Sequence, residues 1–367
     1  MKTFSPNKQE QMLFALLSAS LHEKEVATLP FENCSQEDWR NCFQLACKHG
    51  VMALAWDALI NLPKNLQPDK AIKLTWAAHV ERYEQTYLRY CRCIDSLTRF
   101  YAQHHIQTMV MKGLAVSTLY PNPSHREGGD IDIFTYSANT DIMSHEEANA
   151  LADKLMQEQG IEVDIEYYKH SHFFYQGVPI ENHKTFLNVK SSQTASRINE
   201  LLRKSMQPEP VALAEGEILR PSNAFNTLFL SFHATQHYCA GLSLHHLCDW
   251  AILLRRYGLQ LPKEVKDQKL IDGIGAFTYL CNEYLGCQIP IDNPKAQAIA
   301  QEMIGEMLHP LYSNTCPHKN KVAIFIYKLR RLIHRNRLQH KIISVSFWHE
   351  FWQSFLIHLK KPESIFR

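Results

Sequence analysis

The sequence predicts an α+β fold in which a small mixed-sheet core is set between helical N- and C-terminal regions. Three observations lead there. Up to about residue 104, apolar residues recur at three- and four-residue spacing. Between Ile106 and Lys190 the pattern changes to short apolar or alternating runs broken by glycine. From about residue 221 helical spacing returns. The chain is therefore read as a helical N-terminal region (1–104), an α/β core (105–190), a helical region packing on that core (191–290) and a helical C-terminal region with a basic stretch (291–367).

The elements follow in order. Ser35 with Asp38 marks a helix start, and the helix runs through WRNCFQLACKHG until Gly50 divides it. LPKNLQP is a proline-marked connection, after which a long helix spans about Asp69 to His104. IQTMVM, bounded by Gly113, reads as a strand; LAVSTLY gives one or two helical turns and PNPSHREGG a loop. DIDIFTY alternates as a strand does. Ser144 and Glu147 form a capping-box pattern, and Gly160 closes the helix they open. IEVDIEYY, HFFYQ and VPIENHKTFLNV are read as strands, with a hairpin at Gly177. Three further helices carry PSNAFNTLFLSFHATQHYC, LSLHHLCDWAILLRRYG and IDGIGAFTYLCNEYLG; residues 291–367 hold two or three more.

Bulk properties exclude several classes. A chain of 367 residues with 45% hydrophobic and 21% charged residues is ordinary globular composition, enough for one to three domains. Its net charge of +2 speaks against a nucleic-acid binder. No apolar run approaches the ~18 residues of a membrane-spanning helix, and the first residues lack the pattern of a signal peptide, so the expected location is the cytoplasm. The ten cysteines are scattered without a C-x-x-C pair and read as reduced, half-buried thiols.

The chemistry is concentrated around DIDIF. Asp130 and Asp132, two apart on a strand, point to one face. Adjacent carboxylates repel and stay ionised cheaply only near cations. Mg²⁺ prefers oxygen ligands and shares them with phosphates. Two acids with a third from a neighbouring strand can hold two metals around a triphosphate. Upstream, Lys112-Gly113 ends a strand and enters a helix, a turn where backbone can approach phosphate, and Arg126 offers a guanidinium fork.

These parts occur in a telling order: Lys112-Gly113, Ala115, Tyr120-Pro121, Arg126, then Gly129-Asp130-Ile131-Asp132-Ile133. In this the chain resembles an uncharacterised bacterial nucleotidyltransferase-like family of the DNA-polymerase-β-like superfamily. The likeness extends to Trp39, Leu45, Ala46, His49, Gly50 and Val51, and to Asp249, Ala251, Leu253 and Leu254. The resemblance implies the minimal nucleotidyltransferase core, Mg²⁺ (two ions, Mn²⁺ as a substitute) and an NTP donor, ATP by default. It also implies Asp130 and Asp132 as metal ligands, with Lys112, Gly113, Arg126 and Gly129 at the nucleotide. Leu114 stands where the superfamily has a phosphate-binding Ser after Gly.

For the third acid the candidates are Glu181, Asp164 and Glu166. The family's strand of the form hydrophobic-acid-hydrophobic-His matches Ile180 to His183, which favours Glu181 as a catalytic and metal-binding carboxylate beside His183, although Asn182 replaces an apolar residue. His183 itself reads as a hydrogen-bonding group at the nucleotide site, of a residue type suited to a proton relay.

Other features admit two readings each. His233 and His237, at i,i+4 spacing, either line the nucleotide cleft or, with Cys239, His245, His246 and Cys248, hold a structural zinc. No Glu follows His233 in the H-E-x-x-H manner, and the cysteine spacing fits no finger. Asp249, inside an apolar helix, should make a buried hydrogen bond or ion pair. YKLRRLIHRNRLQHK is a basic amphipathic stretch, and FWHEFWQSFLIHL reads as a docking helix. The function expected is Mg²⁺-dependent transfer of a nucleoside monophosphate to a hydroxyl acceptor. The alternatives are a nucleotide-binding regulatory or antitoxin-like protein with little turnover, and a helical interaction scaffold.

Overall fold

The computed structural model describes residues 4–189, 192–313, 315–317, 319–344 and 352. Four helices lead in: α1 (Lys8–His22), α2 (Gln36–Lys48), α3 (Met52–Leu59) and α4 (Lys70–Ala102). The expected caps are present: Ser35 and Asp38 form a reciprocal capping box on α2, and Asp69 caps α4 by accepting from the Ile72 amide. Gly50 separates α2 from α3 at φ +65°, in the left-handed region. A Cβ there would also collide with the Glu127 carboxylate.

The sheet begins with β1 (Ile106–Met111), followed by the single short helix α5 (Lys112–Ser117), then β2 (Ile131–Ser137), α6 (His145–Glu158), β3 (Val163–Asp164), β4 (His170–Tyr175) and β5 (Val178–His183). Gln176 and Gly177 both have positive φ, so the β4–β5 hairpin closes on a two-residue turn of the kind that matches strand twist. After α7 (Gln193–Lys204) the chain returns to the sheet as β6 (Pro208–Ala212) and β7 (Glu217–Pro221). The seven strands lie in the order β3-β4-β5-β2-β1-β7-β6, with parallel pairs β1/β7 and β2/β5 and the remainder antiparallel. The helices α8 (Asn223–Ala240), α9 (Leu244–Tyr257), α10 (Gln268–Leu285), α11 (Pro294–Leu308) and α12 (Lys321–Ile342) complete the described chain.

The fold is α+β with helical flanks, as the sequence predicts. Two details differ. IEVDIEYY forms only the two-residue β3, because Asp164 turns its carboxylate onto the Glu166 amide (2.9 Å) and ends the strand. The β6–β7 hairpin extends the sheet past residue 190, in a stretch read as helical. The basic stretch lies on α12, while FWHEFWQSFLIHL falls outside the described residues, apart from Trp352. Among the described residues no helix is long and apolar enough to cross a membrane.

Burial sorts the sheet into two faces. Ile106 and Val110 of β1, Ile131 and Ile133 of β2, and Val178 and Ile180 of β5 pack with α4 and α6. Met109, Met111 and Phe134 join the larger core, which includes α7 and α8. Because side chains alternate along a strand, Asp132 lies between Ile131 and Ile133 on the α8 face. That parity decides where the chemistry sits.

Candidate active site

Parallel pairing places Asp132 beside Glu181, and the β4–β5 hairpin places His170 opposite His183 and His172 opposite Glu181. On the other side of β2, Asp132 is opposite Met111, the residue before Lys112. Five polar groups converge as a result. Lys112 Nζ donates to Asp132 Oδ1 at 2.6 Å, and His183 Nε2 lies 2.7 Å from the same oxygen. Glu181 Oε2 is 3.4 Å from His183 Nε2 and 3.5 Å from His170 Nε2. Ligand atoms of Asp132, Glu181 and His183 lie within 4.8 Å of one another.

The electrostatics follow from that crowding. Burial opposes charge on Asp132, but Lys112 and His183 outweigh it and hold the carboxyl well below the usual range. Lys112 is raised in return: burial works against its charge and Asp132 overcomes it. Burial, and then the Asp132 charge, works against Glu181, but the His183 hydrogen bond with the charges of His170 and His183 outweighs them and lowers it. Asp130 behaves oppositely: burial, then repulsion from Asp132 and Glu181, raises it against the pull of Lys112. Among the described residues its side chain makes no ion pair and no hydrogen bond to another residue. Two basic groups complete the site. Burial, then Lys112, pushes Lys169 down to about 8; burial pushes His170 down to about 4 despite Glu181.

Asn182, polar where an apolar residue is expected, faces the opposite side. Its amide accepts from Thr135 Oγ1 (2.9 Å) and Asn149 Nδ2 (3.0 Å) and donates to Asp153 Oδ1 (2.9 Å). This buried network bolts α6 to β2 and β5 directly behind Asp132 and Glu181, and each side-chain atom of Asn182 has a partner in it.

Several expected site residues are placed differently. Arg126 gives Nε (3.2 Å) and Nη2 (2.7 Å) to the two oxygens of Asp249, and Nη1 to the Glu127 carbonyl (2.6 Å). Tyr120 donates to the same carboxylate at 2.7 Å. Asp249 thus makes the buried ion pair expected of it, and the guanidinium of Arg126 is engaged by that carboxylate. Gly113 lies against this arginine: a Cβ there would come within 3.2 Å of Nη1. Gly129 accepts from the Tyr90 hydroxyl at 2.8 Å and so pins the loop before Asp130. Leu114 is buried with Val110 and Ile131 in the α4/α6 core. Asp164 and Glu166 are exposed, whereas Glu181 stands beside Asp132. His233 and His237 lie on α8, with the Phe229 ring between them and Lys112: Lys112 Nζ is 5.9 Å from its centroid and the His233 ring 6.1 Å. Cys248 is buried, and the Cys239 side chain lies outside the described residues.

Lys169 and His170 are absent from the sequence reading. A usable signal existed: counting outward from a Gln176-Gly177 turn pairs Tyr175 with Val178 and brings His170 level with His183.

A buried lysine, two histidines and paired carboxylates thus meet on neighbouring strands of a mixed sheet in an α+β scaffold, and Asp132, Glu181 and His183 are spaced as a group able to hold a metal ion. Comparison with known families resolves this further. Residues 35–286 match the family described as "Uncharacterised nucleotidyltransferase", and the chain belongs to that family. No curated protein and no solved structure matches. Membership implies an NTP substrate, and nucleotidyltransferases generally use divalent metals.

Proposed function

We propose that the protein transfers a nucleoside monophosphate from an NTP, ATP by default, to a hydroxyl of an acceptor and releases pyrophosphate, with Mg²⁺ at the acid cluster. The observation carrying this reading is the in-register placement of Glu181 beside Asp132, with Asp130 just before that strand and repelled by both charges. The donor set suits Mg²⁺. Three carboxylates supply hard oxygen ligands, and at Asp130 burial and the repulsion of both neighbours outweigh the pull of Lys112. Asp130, Asp132 and Glu181 would hold the metal, which when bound would neutralise phosphate charge and acidify the acceptor hydroxyl.

The chain's own residues then divide the work. Lys112 and Lys169 place positive charge against the phosphates, and Lys112 exchanges part of its Asp132 contact for them. Glu181 takes the hydroxyl proton, with His183 orienting it. The acceptor oxygen bonds to the α-phosphorus, the α–β bridging P–O bond breaks, and the pair of electrons leaves with pyrophosphate. Arg126 acts as a positioning residue for the loop that carries Asp130.

Thermal-shift measurements with four NTPs, with and without Mg²⁺, test the reading. Stabilisation by an NTP only with Mg²⁺, lost in Asp132→Asn, is expected; no response to any NTP refutes it. A second reading, a nucleotide-binding regulator without turnover, is favoured by Leu114, whose side chain is buried where a phosphate-binding hydroxyl would be needed. It predicts the same shift without pyrophosphate release for any hydroxyl acceptor.

A further inference from the structure

A second cluster lies on the far side of Phe229. His233 and His237 share one face of α8 at i,i+4 spacing. The chain reverses through Gly241–Ser243, and the first turn of α9 carries His246 back onto them. Ring centroids are 4.3 Å apart for His233/His237, 4.6 Å for His237/His246 and 6.0 Å for His233/His246. One ring nitrogen from each lies within 4.8 Å of the other two.

Among the described residues the half-buried rings of His233 and His237 make no hydrogen bond, which leaves their nitrogens open to a ligand. His246 is different: its Nδ1 lies 3.1 Å from the Ser243 hydroxyl and 3.3 Å from the Ser243 amide. The Ser243 amide donates to Nδ1 and so fixes the ring beside the other two. His245 is drawn off by the same hydroxyl at 2.7 Å and stands outside the trio.

We propose that His233, His237 and His246 bind one zinc-type divalent cation. Three imidazoles from one compact turn are the donors that Zn²⁺, Co²⁺ and Ni²⁺ favour over Mg²⁺, which takes the oxygen-rich cluster instead. The Lys112 charge that would repel a cation is already matched by Asp132 at 2.6 Å. Three protein ligands leave a fourth position for water or a substrate atom, one aromatic ring away from the acid cluster.

The test uses the full chain stripped with a chelator and titrated with Co²⁺. One Co²⁺ per chain with the visible bands of a four-coordinate nitrogen site, displaced by Zn²⁺, is expected. Affinity should fall at least about tenfold in His237→Gln and in His246→Gln and stay unchanged in Glu181→Gln, which separates this site from the acid cluster. Circular dichroism checks that each variant folds. Zn²⁺ should raise the melting temperature of the wild type and not of the histidine variants. Absence of the cobalt spectrum, equal affinity in the histidine variants, or loss in Glu181→Gln overturns the proposal.

Discussion

Replacing Asp249 by Ala strands Arg126. The two side chains are 7% and 11% exposed, and three hydrogen bonds converge on the carboxylate: two from the guanidinium and one from Tyr120. Removing one partner of a buried pair typically costs about 3–5 kcal/mol, because the other charge remains desolvated. The unfolding entropy of a 367-residue chain is about 0.8 kcal/mol/K, at ~2.1 cal/mol/K per residue. Calorimetry should therefore record a melting temperature about 4–6 °C lower. The double variant Arg126→Met, Asp249→Leu removes both charges and should recover most of that loss, since apolar replacements of a buried pair are often near neutral. It should also keep the Mg²⁺–NTP thermal shift, because Arg126 is engaged by Asp249 and not by the phosphates. A single variant within about 1 kcal/mol of wild type would refute the buried-pair argument. A double variant that folds but no longer responds to NTP would return Arg126 to the phosphate-binding role read from the sequence.

Three further outcomes follow from the same geometry. Lys169→Gln should weaken NTP binding about tenfold, some 1.4 kcal/mol, while Lys169→Arg restores most of it; equal affinities by calorimetry would remove Lys169 from the site. Asn182→Leu takes one partner each from Asp153, Asn149 and Thr135, which keep Ser171, the His183 carbonyl and one another, and should cost about 1–2 kcal/mol in urea unfolding, with no loss expected if the network were incidental. His49, buried and lowered to about 4 by burial and then Lys48, binds a proton more readily in the unfolded chain. Its contribution is therefore complete above about 6.5 and is lost as pH falls toward 4, by up to about 3 kcal/mol. In chelator-treated protein, His49→Gln should flatten stability across that window, and an unchanged slope would place the acid sensitivity elsewhere.

How much was legible depends on how local the signal is. Ser35/Asp38, Ser144/Glu147 and Gly177 act within a few residues of themselves, and the structure puts caps and a turn at all three. Asp130 and Asp132 were readable from their i,i+2 spacing, whereas Glu181 was favoured over Asp164 and Glu166 by the family's strand pattern, and the register sets it beside Asp132. The β6–β7 hairpin was not, because Pro208 and Pro210 argue against a strand; the sheet order shows why they are tolerated, since β6 is an edge. Arg126 looked like a phosphate ligand because its true partner, Asp249, is far along the chain and leaves no mark near it. The histidine trio was half visible as an i,i+4 pair. His246 joins it only through a helix reversal that spacing alone does not determine.

The two edges of the sheet bear on how the protein behaves among its neighbours. An open edge presents unpaired amides and carbonyls that a strand from another molecule can extend into an aggregate. Here β6 carries two prolines, which have no amide to offer, and β3 is two residues long and flanked by the exposed acids Glu162, Asp164 and Glu166. Neither edge is a template for a further strand, so the sheet that aligns the carboxylates is also protected from growing sideways.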